Sequence, residues 1–469
     1  MTSDLWKLSA TALMSHLSRG EVSAREATLS VLKRIDDTNP TVNALASVST
    51  ESALKAADTA DAALQRGEAL GPLHGVPVTI KVNIDVQGEP TTDGTLALQD
   101  NVATSDSPLV KSLREAGAII VGRSNAPAFS LRWFTDNSFH GRTLNPFDPG
   151  ITPGGSSGGA AAATALGMGA IAHGNDYGGS IRYPAWACGV VGLRTTVGRI
   201  PSYKASAPNR ILTNQLMSVQ GPLTRTVADA RLALRVMSQG SALDPQWVPA
   251  PLEYADSRKP TRVAVFRTWT HSPVDATATA AVDQAARWLE AAGYTLEEVE
   301  PPHFADVAAM QFHLVMNDMR RAGEAFMRDN GDDALRIALN HYMATTPVWD
   351  RDDYLETLTR RFNIARDWAV FFERYPILLM PNSWERQFQI DDDQRSPERT
   401  AQILLAQAPM LGTAVLGLPG LSVPTGIVDG LPVGVQIVST KFREDLALSA
   451  GEVIEQAARF SALEYLTAR

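Results

Sequence analysis

The chain of 469 residues has a single cysteine, Cys188. That scarcity excludes an intrachain disulfide framework and a thiolate zinc cluster, and it leads us to expect a cytoplasmic location. Positive charge is also short, because 42 Lys and Arg against 51 Asp and Glu leave a net charge of −9. With no long basic cluster, the electrostatic footprint of a nucleic-acid binder is missing. Long apolar runs are absent as well. The two most apolar stretches, 160–172 and 403–424, are short or interrupted by Gly, Pro and Gln, so no membrane span is expected. The opening MTSDLWKLSATALMSHLSRG interleaves charged and polar residues with apolar ones and lacks the h-region of a signal peptide. Eight histidines occur with no H-x-x-x-H pair and no Cys partner set. Neither a metal nor a cofactor is therefore expected.

What is present is ordinary globular composition, with 44% hydrophobic residues supplying a large core. One α/β body spanning 1–469 is expected, with a central mixed, twisted sheet covered by helices. Helical spacing marks two segments within 4–35, broken near Gly20, and a third from Ser52 to Leu64 with Ser52 as its N-cap. A buried strand is predicted around 76–84, a helix at 107–115 and a strand at 118–121. A helix from Ala160, a strand at 170–173 and a helix opening at Ser180 follow. Further on, strands at 263–266 and 377–380 alternate with helices near 277–292, 307–328 and 353–374. Two strands and a helix close the chain between 414 and 456. Chemistry is expected within 70–225, and substrate-shaping loops within 240–400.

Two glycine-framed serine motifs stand out: Gly154-Gly155-Ser156-Ser157-Gly158-Gly159, and Gly174-Asn175-Asp176-Tyr177-Gly178-Gly179-Ser180. Upstream, Lys81 sits in the apolar run GVPVTIKVNI, where its neighbours read as buried. Two serines and an interior lysine can form a nucleophilic relay, because a serine needs a base and a lysine serves only when its surroundings keep it neutral. Without side chains at 178 and 179 the backbone can approach a carbonyl and aim N–H groups at one point. A phosphate loop is disfavoured, since no Gly-Lys-Ser/Thr ending follows the glycines. A Ser-His-Asp triad using His173 and Asp176 ranks lower, because the Gly-x-Ser-x-Gly elbow is missing around Ser180.

These blocks resemble the amidase signature family. The likeness extends through VGRSNAP at 121–127, HGRTLNPFDP at 140–149, SIRYPAWACGVVGLR at 180–194, GPLTR at 221–225 and LPGLSVPTGIVDGLPVGVQIV at 418–438. It implies Ser180 as nucleophile, Ser156 as bridging serine after a cis bond from Gly155, and Lys81 as base. It also implies an oxyanion hole from the backbone N–H groups of Tyr177, Gly178, Gly179 and Ser180, with Ser157, Asp176 and Arg182 as structural support. The sequence departs from the family at Val82, where Asp is usual, and at Ala128 and Tyr177, all of which bear on substrate preference.

The segment after Asn125 is rich in large apolar groups, and resemblance sets Phe129, Leu131 and Trp133 beside an acyl pocket. The expected substrate is accordingly a small, neutral, apolar or aryl amide, with esters and carbamates sharing the same oxyanion. No nucleic-acid or membrane partner is expected. The alternatives are the tRNA-directed glutamine amidotransferase component of the same family, which acts on mischarged tRNA within a larger assembly, and a binding protein on an inactive scaffold. For an anionic substrate, Arg132, Arg142 and Arg182 would be the carboxylate ligands.

Overall fold

A computed structural model describes residues 2–468. Its strands are Leu45–Val48 (β1), Pro77–Lys81 (β2), Ile119–Ser124 (β3), Ile171–Asp176 (β4), Val191–Arg194 (β5) and Val219–Thr224 (β6), then Arg262–Val265 (β7), Thr295–Glu298 (β8), Ile377–Pro381 (β9), Gly420–Val428 (β10) and Leu431–Ser439 (β11). They form one 11-stranded mixed sheet in the order β1-β3-β2-β4-β6-β5-β10-β11-β9-β7-β8. This is the expected α/β sheet. Its two sides are contiguous in sequence, six strands from 45–224 and five from 262–439, and they meet where β5 pairs antiparallel with β10.

Strands β2, β3, β4, β9 and the C-terminal part of β11 are buried on both faces, and β2 and β9 accordingly read as near-continuous apolar runs rather than alternating ones. Helix Gly158–Leu166, GGAAAATAL, is buried at all nine positions. Its small side chains let it lie close to the sheet, and an all-round apolar helix is stable only in such a place. Among the described residues no helix is long and apolar enough to cross a membrane.

The helices at 10–18, 24–42, 276–291, 351–374 and 444–458 lie close to expectation. Ser52 is not the cap of its helix, which begins at Thr50 with Ser49 in the capping position. The Ser49 N–H is tied to the Val121 carbonyl of β3, the strand beside β1, so the end of that pairing sets where the helix starts. The helix expected over 307–328 is divided at Gly323 (φ −151°) into Phe304–Ala322 and Glu324–Asn330. Glycine has low helix propensity, and there the backbone leaves the helical region.

Candidate active site

Lys81 closes β2, whose parallel neighbour β4 pairs with it through Val78↔Ile171 and Thr79↔Ala172. That register sets Lys81 level with the end of β4, where Asn175 and Asp176 lie, at the carboxyl edge where open α/β sheets bind ligands. The Lys81 side chain is wholly buried. Its Nζ donates to Ser156 Oγ at 2.7 Å, to Asn175 Oδ1 at 2.8 Å and to Ser157 Oγ at 3.2 Å. Three partners match the three N–H bonds of an ammonium. Burial pushes the Lys81 ammonium down to about 7, against the opposing pull of Asp93 and Asp176. Near neutrality the amine is therefore substantially uncharged and can accept a proton from a hydroxyl.

Ser156 and Ser157 precede the buried Gly158–Leu166 helix, and the Gly155–Ser156 peptide is cis. A Cβ on Gly155 would lie 2.5 Å from the Arg132 carbonyl oxygen, so this turn closes only around a glycine. The helix expected to open at Ser180 begins two residues later, as Arg182–Ala187 with Ile181 in the capping position, and Ser180 before it is 8% exposed, enough to line the same cavity as Ser156. Among the described residues no hydrogen bond joins the Ser156 and Ser180 hydroxyls; the Ser157 N–H instead donates to the Ser180 carbonyl at 3.2 Å.

The loop between β4 and Ser180 is held from below by Asp176. Its carboxylate accepts from the N–H groups of Gly179 (2.8 Å) and Ile181 (3.2 Å) and from both Arg182 and Arg194. Burial opposes ionisation of Asp176, but the two guanidiniums outweigh it and hold the carboxyl well below its usual range. The Gly179 N–H is thus engaged by Asp176, unlike those of its neighbours in the expected oxyanion set: Tyr177, Gly178 and Ser180 donate to no acceptor among the described residues. Gly179 has φ 112°, and a Cβ there would fall 2.7 Å from Met410 Sδ.

Asp176 and Arg182 are sealed from the cavity, and all five Arg182 side-chain donors are used inside the protein, on Asp176, Thr413, Gln436 and the Met410 carbonyl. Arg132 is paired with Asp393 at 2.7 Å, and Arg142 with Asp136 and Asp391. None of the three arginines lines the cavity, whose cations are Lys204 and Arg210. His173 is buried on β4 with its Nε2 2.9 Å from Gln220 Oε1, and burial lowers its imidazole to about 3. Its ring is turned to Gln220 and not to Ser180.

The cavity above these groups has a volume of about 260 Å³. Phe129, Leu131 and Trp133 line it, together with Tyr177 and Gly178. The opposite wall is helix Phe304–Ala322, through Phe312, Val315, Met316 and Met319, with Tyr342 beside it. Gln311 of that helix donates to the Tyr177 carbonyl at 2.9 Å and ties the 177–180 loop from above. Sequence reasoning named none of these helix residues. Their only signal was helical amphipathicity, which every core helix shares. Asn175 was missed differently: it lies inside a motif, and the adjacency of β2 and β4 is what gives it a partner.

A buried, partly neutral lysine bonded to a serine, with a second serine on a glycine loop of an α/β sheet, is an arrangement suited to acyl transfer. Comparison with known proteins gives the family. The Amidase family model matches residues 26–448, and the chain belongs to that family as a hydrolase of amides. It is 42% identical to the indoleacetamide hydrolase of Bradyrhizobium diazoefficiens, over 97% of this chain and 87% of that protein. It is 34% identical to a component of the glutamyl-tRNA(Gln) amidotransferase of Moorella thermoacetica, over 97% of this chain and 98% of that one. The structure of a bacterial aryl acylamidase of the amidase signature family superposes with a TM-score of 0.84 at 26% identity, covering 98% of this chain and 99% of that one.

Proposed function

We propose that the chain hydrolyses small neutral amides with an aryl or apolar acyl group, indole-3-acetamide among them, through an acyl-enzyme on Ser180. The observation that carries this reading is the 2.7 Å bond from wholly buried Lys81 to Ser156 in a cavity that Ser180 also lines. Neutral Lys81 takes a proton by way of Ser156 as Ser180 Oγ attacks the carbonyl carbon. The N–H groups of Tyr177, Gly178 and Ser180 receive the oxyanion, while Gly179 keeps the loop in shape through Asp176. Ser156 returns the proton to the leaving nitrogen, the C–N bond breaks, and ammonia departs. Water then adds to the acyl-enzyme by the same relay and releases the carboxylic acid. The ring lies among Phe129, Leu131, Trp133, Phe312 and Met316. Aryl carbamates and esters, which form the same oxyanion, are secondary substrates.

The identity to an indoleacetamide hydrolase supports the aryl preference, and the 34% identity to an amidotransferase component favours a second reading, ammonia supply from glutamine. One experiment separates them. The purified chain is offered indole-3-acetamide, short aliphatic amides, anionic amides, aryl carbamates and glutamine, and the fluorophosphonate-labelled residue is mapped by mass spectrometry. Turnover of aryl amides with a single adduct on Ser180 is expected. Labelling elsewhere removes the nucleophile assignment, and turnover of glutamine alone favours the amidotransferase.

A further inference from the structure

The third bond of Lys81 starts a chain that leads away from the serines. Lys81 Nζ donates to Asn175 Oδ1 (2.8 Å), and Asn175 Nδ2 donates to Asn83 Oδ1 (3.0 Å). Asn83 Nδ2 donates to Ser130 Oγ (2.9 Å), and Ser130 Oγ donates to Asp93 Oδ1 (2.7 Å). Every link points the same way, from the lysine to a carboxylate. Asn83, Asp93, Ser130 and Asn175 form one polar stripe on the cavity wall that also carries Ser156 and Ser180.

The direction has a cause. A carboxylate offers acceptors only, so Ser130 must donate to Asp93 and is left to accept from Asn83. Asn83 then turns its amide nitrogen toward Ser130 and its oxygen toward Asn175, which in turn presents oxygen to Lys81. Side-chain amides have two orientations, and the terminal group selects between them. Reversed, the chain would aim the Asn175 NH₂ at the lysine, where an ammonium finds no acceptor. The backbone is bent to present this terminus: Asp93 (φ 45°), Phe129 (φ 52°) and Ser130 (φ 56°) all lie in the left-handed region, and the Phe129 N–H donates to the Asp93 carbonyl at 2.8 Å. Non-glycine residues there are strained and gather where a site needs them.

We infer that Asp93 is a positioning residue for Lys81, setting through Ser130, Asn83 and Asn175 the orientation of the acceptor that holds its amine in line with Ser156. This inference rests on Lys81 as the base. The amides cannot pass a proton along, so Asp93 takes no part in the transfer itself. Its effect is to favour the ammonium and to fix where the Nζ lone pair points once the proton is gone. The other charged groups around Lys81 are Asp176 below, Lys204 on the cavity wall and Arg123, whose Nη2 donates to the Lys81 carbonyl, and the buried imidazole of His173 on β4 is neutral.

The test is the pH dependence of fluorophosphonate acylation of Ser180 in full-length Asp93→Asn, Ser130→Ala and the double variant, each checked for an unchanged thermal midpoint. Removing the terminal carboxylate, or the link before it, disfavours the ammonium, so the acid limb should move to lower pH by about half a unit. The plateau rate should fall roughly tenfold as Lys81 loses its alignment. The double variant should match the singles, as members of one network do. An acid limb that stays in place in folded Asp93→Asn overturns the inference. So does a shift in Asp93→Asn that Ser130→Ala does not share, because charge would then act through space and not along the chain. Lys81→Ala separates this failure from that of the base assignment: if its residual acylation keeps the wild-type acid limb, the lysine is not the base and both readings fall.

Discussion

The cavity has a floor and a wall built on opposite terms. The floor, Lys81, Ser156, Asn175 and the 176–180 loop, is polar, and its lysine, asparagine and aspartate are fixed by named hydrogen bonds on β2 and β4. The wall, Phe312, Val315, Met316 and Met319, is apolar and on a single helix, and these side chains meet their neighbours through packing. A floor of this kind tolerates little displacement, because hydrogen bonds fail within a few tenths of an ångström. Unbranched, polarisable methionines adapt to many shapes. Chemistry and selectivity are thus assigned to different elements, and substitutions on one side should leave the other nearly intact.

The largest break in that comparison is expected at Ser180. Ser180→Ala should lower kcat by at least about 10⁴-fold for every amide tested, with KM for indole-3-acetamide little changed. An equal loss confined to aryl substrates would place the serine on the selectivity side. Next comes Gly179→Ala, in which the new methyl meets Met410 and the residue must hold φ 112°. Displacing the loop should cost about 10²-fold in kcat across all substrates, measured beside an unfolding curve that separates loop damage from global destabilisation.

A pH series sharpens the floor's side. Because Lys81 accepts a proton only when neutral, and burial lowers it to about 7, kcat/KM should rise with pH through about 7 and level off above. A flat profile from about pH 5 to 9 would remove the lysine from the rate equation. On the wall, Phe312→Ala should reduce kcat/KM for aryl amides by roughly 10–200-fold while small aliphatic amides change little. The smallest effect belongs to Tyr342→Phe: the hydroxyl is buried with no hydrogen-bond partner among the described residues, so its removal should leave stability within about 0.5 kcal/mol and disturb only substrates that bond to it.

The same division governs what the sequence reveals. Lys81, Ser156 and Ser180 are legible because glycines bracket the serines and a lone lysine interrupts an apolar strand. Asn83, Asp93 and Ser130 are not, since an asparagine, an aspartate and a serine in loops read as turn chemistry until folding draws positions 83, 93, 130 and 175 together. The engagement of the Gly179 N–H by Asp176 was equally hidden: the motif shows which residues crowd the loop and says nothing of which N–H groups stay open. The α/β alternation was plain through 225. The 304–344 region gave a helix in roughly the right place, but no spacing rule tells which face of an amphipathic helix meets a cavity and which meets the core. Arg132 and Arg142 looked available to an anionic substrate, whereas their partners Asp393 and Asp391 lie about 250–260 residues downstream, beyond any local pattern.

The seam between β5 and β10 has a consequence for how the enzyme is made. Arg182 and Arg194, which clamp Asp176 beneath the nucleophile loop, send most of their remaining donors to Met410, Thr413, Ala414, Leu418 and Gln436. While a ribosome has translated only the first six strands, every residue of the floor is already present, yet these two guanidiniums have no acceptors beyond the seam. Burying those donors without partners would be costly, so the sealed clamp seen here needs the C-terminal strands to complete it. The support beneath the 177–180 loop is thus shared between the two halves of the sheet, and neither half supplies it alone.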